Sequence, residues 1–262
     1  MDDLAASITT LEPPSGWTFS YAAEVISTQD LARQAAMRDE GTRHVFVTDF
    51  QSEGRGRAGR TWSAPPGSSL LMTVLLKEPR LTFPQHLVCV SVALCETLET
   101  QLGLAPAIKW PNDLLLGDRK VCGILAESTD SATGYVAIGI GLNVAWSGDR
   151  PTGIPEWATA LDEHSSAAPN RYQVFHQFIE TLDQWLTRST SRAHQKGLML
   201  AWQHRLWRRG EWVTVILHDR TLVGLLAGTD NDGALLIQLE GGVLQRVIDG
   251  ELVMPARPLG TR

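Results

Sequence analysis

The 262-residue chain has few cysteines, no excess of positive charge and no long apolar run. Its three cysteines (Cys89, Cys95 and Cys122) lie in apolar stretches without C-x-x-C spacing, which predicts reduced core residues rather than disulfides or a thiolate metal site. The net charge is −6, whereas a free-standing nucleic-acid-binding domain is usually basic. No signal-peptide pattern and no stretch of membrane-spanning length are present. These absences predict a cytoplasmic protein without a membrane or DNA partner.

Histidine clusters are also missing. The seven histidines are scattered, and none belongs to an H-E-x-x-H motif or a His/Cys group. A catalytic zinc site needs about three such ligands close together. We therefore expect no metal ion held by the protein's own side chains.

The apolar pattern predicts an α+β fold with hairpins, followed by a small β-domain. Short strands separated by turns recur from about Glu211, which predicts an SH3-like β-barrel. We place the boundary between residues 1–208 and 209–262, and we expect surface loops at 128–134 and 162–170. In the first part the pattern predicts strands at 44–50, 68–77, 107–110, 114–117, 120–128 and 135–144, and helices at 83–102 and 172–188.

The segment GRGRAGRTW, Gly54 to Trp62, matches G-x-G-x-x-G and, apart from Arg60 in place of lysine, the P-loop. Both motifs need a helix directly after the glycines. Here Pro65-Pro66-Gly67 follows and then a strand, so both interpretations fail. Guanidinium groups on a glycine-rich loop still suit a carboxylate or phosphate ligand. The alternative is a flexible solvated loop or an RNA-contacting segment.

A second constellation is KWPNDLLLGDRKVCGILAES, residues 109–128. Its turns bring Lys109 and Lys120 into one neighbourhood. Glycine weakens a strand, and its usual reason there is close approach by a ligand or another backbone. Gly123 lies in such a strand, and Gly139 and Gly141 leave one face of the next strand bare.

These segments together, with GIGLNV at 139–144, resemble the biotin protein ligases from about Gly16 to the C-terminus. The resemblance implies a mixed or antiparallel sheet flanked by helices, similar to class II aminoacyl-tRNA synthetases and of the biotin/lipoate ligase type, with a C-terminal SH3-like barrel. It implies that ATP activates biotin as biotinyl-5′-AMP, and that biotin is then transferred to a lysine of a biotin carboxyl carrier protein. Mg²⁺ is expected on the triphosphate rather than on the protein.

The resemblance also implies roles for individual residues. Ser27 and Thr28 match the pair that hydrogen-bonds the fused ring of biotin. Asp113 has open roles: orienting the acceptor amine, lying near the metal, or capping a turn. The residues implied in biotin binding are Ser27, Thr28, Gln29, Gln51, Gly54, Arg55, Gly56, Arg57, Lys120, Gly123, Leu125 and Gly139. Those implied in ATP binding are Arg55, Arg57, Arg60, Trp62, Lys109, Asn112, Lys120 and Asn143, and those implied in catalysis are Arg57, Lys109, Lys120 and Asp113.

Two residues depart from the family's usual pattern. Gln29 stands where the family often has asparagine, and Glu53 replaces an alanine before the arginine loop. Glu53 is able to pair with a loop arginine in the empty state, which we test below. Two rival functions are a lipoate or octanoate ligase and a biotin-responsive DNA-binding repressor. Only about fifteen residues precede the resemblance, so we expect a ligase alone, with a homodimer left open.

Overall fold

The computed structural model describes residues 4–130, 134–146, 150–165, 169–189 and 191–253. The helices are α1 (Leu4–Thr10), α2 (Thr28–Met37), α3 (Phe83–Leu102), α4 (Arg171–Arg188) and α5 (Arg192–His204). The strands are β1 (Trp17–Val25), β2 (Arg43–Gln51), β3 (Ser69–Leu76), β4 (Ala107–Lys109), β5 (Asp113–Leu116), β6 (Arg119–Asp130), β7 (Tyr135–Asn143), β8 (Trp212–Ile216), β9 (Thr221–Thr229), β10 (Leu235–Gln238), β11 (Leu244–Val247) and β12 (Glu251–Val253). Short 3-10 turns lie at Arg57–Gly59 and Leu161–Glu163.

A seven-stranded mixed sheet carries the first part of the chain, in the order β1-β2-β3-β7-β6-β5-β4. β1 and β2 run parallel, joined by α2, and the other neighbours are antiparallel. In the parallel pair Val25 lies opposite Gln51. The segments that follow β1 and β2 therefore leave the sheet side by side.

Both faces of this sheet are covered, because successive side chains of a strand point in opposite directions. On β2, Val45 and Val47 face the large core shared with α3 and α4. Phe46, between them, faces the other side, where it joins a small core with Ala32 and Ala35 of α2. The small alanine side chains let α2 lie close to the sheet.

Local sequence sets the ends of α3. A capping box at Thr82 and Gln85 begins the helix, and Pro84 occupies its first turn. Gly103 ends it in the left-handed region at φ 63°. The helix predicted from the apolar spacing is thus confirmed over Phe83–Leu102.

A five-stranded antiparallel sheet, in the order β11-β10-β9-β8-β12, forms the C-terminal part. The strands predicted for an SH3-like barrel are confirmed. The indole N–H of Trp110, just after β4, donates to Gly233 O at 3.0 Å, and that of Trp207 donates to Asp118 at 3.0 Å. The first bond attaches the barrel to the hairpin strands of the main sheet, and the second fixes the segment that leads into the barrel.

The sequence missed some elements and misplaced one. α1, β1, α2 and α5 were not predicted. The loop expected at 128–134 is wrong for Ser128–Asp130, which continue β6, while residues 131–133 lie outside the described part. The loop expected at 162–170 begins in a 3-10 turn, and 166–168 are likewise outside it. Among the described residues, no helix is both long and apolar enough to cross a bilayer.

Candidate active site

A cavity of about 600 Å³, hereafter the central cavity, opens where β1 and β2 end and extends over the glycine-rich faces of β6 and β7 toward the barrel. Its walls bring together nearly all residues that the sequence singled out. Those lining it are Ser27, Thr28, Gln29, Gln51, Arg55, Gly56, Arg57, Arg60, Trp62, Lys109, Asn112, Asp113, Lys120, Gly123, Leu125 and Gly139.

One end of the central cavity is a polar pocket at the N-terminus of α2. Ser27 occupies the N-cap position of the helix, and Thr28 donates to Gln51 Oε1 from both its backbone N–H, at 2.8 Å, and its hydroxyl, at 3.1 Å. The Thr28 hydroxyl also lies 2.8 Å from that of Thr73 on β3. The parallel pairing of β1 with β2 produces this contact, because it sets Gln51 beside the residues following Val25. The pocket presents closely spaced donors and acceptors.

Gln29 forms the wall between this pocket and the sheet. Its Nε2 donates to Leu125 O at 3.0 Å, and its side chain is buried. A Cβ placed on Gly139 would lie 3.2 Å from the Gln29 carboxamide. The glycine therefore leaves room for the longer side chain that departs from the family pattern.

Glycines on β6 and β7 form a slot for Trp62. Gly123 and Gly141 are paired across the two strands. A Cβ on Gly123 would lie 2.8 Å from the indole ring, and one on Gly141 would overlap it. The bare strand faces noted in the sequence thus accept an aromatic side chain delivered by the arginine loop.

Lys120 and Asp113 form an ion pair at 2.7 Å between β6 and β5. A register shift after Leu114 sets Lys120 opposite Leu115 and lets it reach Asp113. Both side chains are about one-fifth exposed. The Lys120 ammonium also lies 5.5 Å from the centre of the Trp62 ring. Asp113 therefore has a partner that none of its three predicted roles included.

The arginines of the loop contact both α2 and the barrel. Arg55 pairs with Asp30 at 2.5 Å, Arg57 donates to Gly250 O at 2.5 Å, and Arg60 pairs with Glu251 at 2.5 Å. The prediction that Glu53 pairs with a loop arginine is wrong, because other groups occupy all three. Asp30 reaches Arg55 from the first turn of α2.

Comparison with known proteins identifies the family. The profile described as "Biotin/lipoate A/B protein ligase family" matches residues 22–143, and that of "Biotin protein ligase C terminal domain" matches 210–254. A biotin–[acetyl-CoA-carboxylase] ligase of Paracoccus denitrificans is 32% identical over 232 residues, which cover 84% of this chain and 94% of the relative. The chain belongs to the biotin protein ligases.

Other members of the family agree. The Mycobacterium tuberculosis biotin–[acetyl-CoA-carboxylase] ligase is 28% identical over 240 residues, covering 87% of this chain and 86% of the relative. The biotin protein ligase of Aquifex aeolicus, solved in complex with biotin and ATP, is similar in fold with a TM-score of 0.78. It is 25% identical, and the match covers 90% of this chain and 97% of that one.

Two predicted residues of this ligase lie outside the cavity lining. Gly54 supports the loop: a Cβ there would overlap the Trp62 carbonyl oxygen. Asn143 is buried, its amide donates to Thr159 O at 2.9 Å, and its oxygen accepts from Ser69 at 3.3 Å. A direct adenine contact by Asn143 stays a prediction.

Several cavity residues of the ligase were missed in the sequence. Trp157 follows a loop rich in proline and glycine, and its carbonyl accepts from Lys120 N–H at 2.7 Å. Ile216, His218 and Glu251 reach the cavity from the barrel. No local pattern marks them, because their place in the site depends on how the barrel packs against a loop nearly 200 positions earlier in the chain.

Proposed function

We propose that this chain joins biotin to a carrier protein in two steps, using the central cavity for both. One observation carries the proposal. The polar pocket around Thr28 and Gln51, the Lys120–Asp113 pair and the arginine loop open into one cavity. A ring with polar edges, a carboxylate and a triphosphate fit this order of groups.

The first step joins two anions. An oxygen of the biotin carboxylate attacks the α-phosphorus of ATP, the new P–O bond forms, and the bond to pyrophosphate breaks. Repulsion between the reactants has to be offset by fixed positive charge. Arg55, Arg57, Arg60, Lys109 and Lys120 supply it from the cavity walls. The product is the mixed anhydride biotinyl-5′-AMP.

Mg²⁺ accompanies ATP in this proposal. No group of three His, Cys, Asp or Glu side chains suited to a metal occurs within the described ranges. Asp113, a carboxylate of the predicted site, is paired with Lys120. The ion is therefore expected to stay mainly on the triphosphate oxygens and to neutralise their charge.

The second step transfers biotin. A neutral lysine amine of the acceptor attacks the acyl carbon, an amide bond forms, the bond to AMP breaks, and the amine loses a proton. The Lys120–Asp113 pair lies in the cavity wall, where the carboxylate can orient the amine and the ammonium can stabilise the departing phosphate. The acceptor is the biotin carboxyl carrier domain of a carboxylase.

The polar pocket favours biotin over lipoate. Buried polar groups need hydrogen-bond partners, and a plain acyl chain or dithiolane ring offers few. The Gln51 carboxamide and the Thr28 hydroxyl match the carbonyl and N–H groups of a ureido ring.

A direct experiment tests the proposal. Purified protein with Mg-ATP and biotin should release pyrophosphate before any acceptor is present, and radiolabelled biotin should then move to a carrier domain. Release of pyrophosphate with lipoate but not with biotin would contradict the proposal.

Three further properties complete the proposal. Buried free thiols at Cys89, Cys95 and Cys122 suit the reducing cytoplasm. The net charge of −6 supports a role without DNA, which a gel shift against the upstream region of biotin-synthesis genes tests. A homodimer is an open prediction that sedimentation can check.

A further inference from the structure

The barrel supplies two carboxylates to the central cavity, Asp249, which lies 3.5 Å from Arg57, and Glu251. Glu251, the first residue of β12, lies opposite Ile216 of β8 and pairs with Arg60 at 2.5 Å. The neighbouring Gly250 accepts from Arg57 through its carbonyl oxygen. Two arginines of the loop are thus attached to one turn of the barrel.

This turn lies close against strand β8. Gly250 has φ 152°, which favours glycine, and a Cβ there would lie 2.9 Å from Ile216 O. The close approach to β8 sets the direction of the Gly250 carbonyl and of the next side chain, Glu251. The barrel therefore places a carbonyl acceptor and a carboxylate next to the loop.

Glu251 lies in the field of several site cations. The Arg60 guanidinium lowers the pKa of Glu251, and the charges of Lys109 and Arg57 lower it further. The proposed function assigns these same cations to the carboxylate and phosphates of the substrates. A protein carboxylate thus occupies the electrostatic position that a substrate anion needs.

We infer that Glu251 is a positioning residue that holds Arg60 against the barrel, and that the phosphates of ATP compete with this carboxylate for the guanidinium. The inference rests on the proposed function. Binding of the nucleotide then exchanges one anion for another at Arg60, and the loop is never without a counter-charge.

The size of the effect follows from exposure. The Arg60 side chain is 68% exposed and that of Glu251 is 38% exposed, so water screens the pair. Exposed ion pairs change equilibria by roughly 2- to 5-fold. The Arg60–Glu251 pair is weak enough for a triphosphate to displace the carboxylate. It is strong enough to favour the arrangement in which the loop contacts the barrel.

The test uses Glu251→Gln, which keeps the shape and removes the charge, with Glu240→Gln as control. Glu240 is an exposed carboxylate in the β10–β11 turn of the same sheet. Without nucleotide, hydrogen exchange of peptides covering residues 54–62 should be about 2- to 5-fold faster in Glu251→Gln. The KM for ATP in biotin-dependent pyrophosphate release should fall by a similar factor. Glu240→Gln should match wild type in both.

A double variant locates the effect. In an Arg60→Gln background, Glu251→Gln should change the exchange and the KM for ATP much less than in wild type, because its hydrogen-bonded partner is gone and only the more distant charges of Lys109 and Arg57 remain. A merely structural role would raise the KM and accelerate exchange throughout the barrel.

Three outcomes separate the alternatives. A KM for ATP that rises or stays constant in Glu251→Gln overturns the competition, and unchanged exchange at 54–62 overturns the tie to the barrel. Wild-type protein that releases no pyrophosphate with biotin contradicts the proposed function instead, whatever the exchange data show.

Discussion

Lys120 is the residue for which sequence and structure make the sharpest joint prediction. Its ammonium is largely buried and held by Asp113, in a cavity lined by loop arginines. Loss of one preorganised donor to a transition-state charge typically lowers the rate by about 10²–10³-fold. Lys120→Ala should therefore lower single-turnover adenylate formation by that factor. Lys77→Ala, which removes a surface lysine paired with Asp39, is the control. Near wild-type turnover in Lys120→Ala would exclude a catalytic role.

Thr28 tests the end of the cavity that we propose for biotin. Its hydroxyl bridges Gln51 and Thr73, so Thr28→Val removes a donor and leaves the Gln51 carboxamide held mainly by a backbone N–H. A buried polar group without its partner costs about 1–3 kcal/mol. Calorimetry should show that much weaker biotin binding and a far smaller change for ATP. The control is Thr97→Val, in the buried face of α3. It should lower the stability of the fold without weakening biotin binding more than ATP binding. Equal weakening for both ligands would contradict the assignment.

At the scale of elements, the Gly123–Gly141 pair predicts how tightly the loop must pack. In Gly141→Ala the added methyl overlaps the Trp62 ring. Overpacking costs about 1–3 kcal/mol, so seating the indole becomes that much harder and biotin affinity should fall by about 10-fold. The control is Gly197→Ala in α5, where a Cβ meets no atom within 4 Å. It should stabilise the fold by about 0.5–1 kcal/mol and leave biotin affinity unchanged. Retained affinity in Gly141→Ala would show that Trp62 leaves the slot during binding.

The arginine loop predicts a second behaviour, retention of the intermediate. Arg57→Gly removes the bond to Gly250 and adds backbone freedom. Arg55, Lys109 and Lys120 remain, so adenylate should still form, but it should escape and biotinylate bystander proteins such as serum albumin. Arg220→Gly, in the exposed β8–β9 turn, should label only the carrier. Carrier-specific labelling by Arg57→Gly, or protease cleavage of the loop that biotin and ATP do not slow, would mean that the loop is not a lid.

For the whole molecule, buried histidines predict a loss of stability in acid. Burial lowers the pKa of His44 in β2 and of His86 in α3. The fold therefore favours their neutral forms, and below about pH 6.5 the unfolded chain binds more protons. The free energy of unfolding should decrease from pH 7 to pH 5.5, as measured in urea. His86→Leu should show a smaller decrease, and an identical decrease in both proteins would exclude His86 as a cause.

Much of the fold could be predicted because its signals are local. The apolar spacing in α3 and the alternation in β2 are periodic within one element, and the turns of the barrel carry glycine, asparagine and aspartate. The sequence pattern did not predict α2, because the buried face of this helix is mostly alanine and its apolar pattern is therefore weak. The boundary between 208 and 209 stays a prediction, although β8 begins shortly after it at Trp212.

For the candidate site, too, features within one segment could be predicted and contacts between distant segments could not. Motifs within one segment, such as GRGRAGRTW, indicated most of the cavity's walls. The partners of the arginines could not be predicted from them. Asp30 and Glu251 are ordinary charged residues in sequence, and only folding brings them to Arg55 and Arg60. Likewise, Lys120 reaches Asp113 because of a register shift between the strands, which no sequence pattern predicts.

The separation of the loop and the barrel along the chain also means that they are synthesised at different times. Arg60 and Glu251 are 191 positions apart. Protein synthesis at about 5–20 residues per second leaves roughly 10–40 s between them. Late in that interval, after Gly139 has been made, the ribosome carries a chain that has the proposed biotin pocket and both lysines, while the turn that holds the arginines has not been made. A ribosome stalled before β12 would therefore expose an unfinished enzyme whose loop has nothing in the barrel to fasten it.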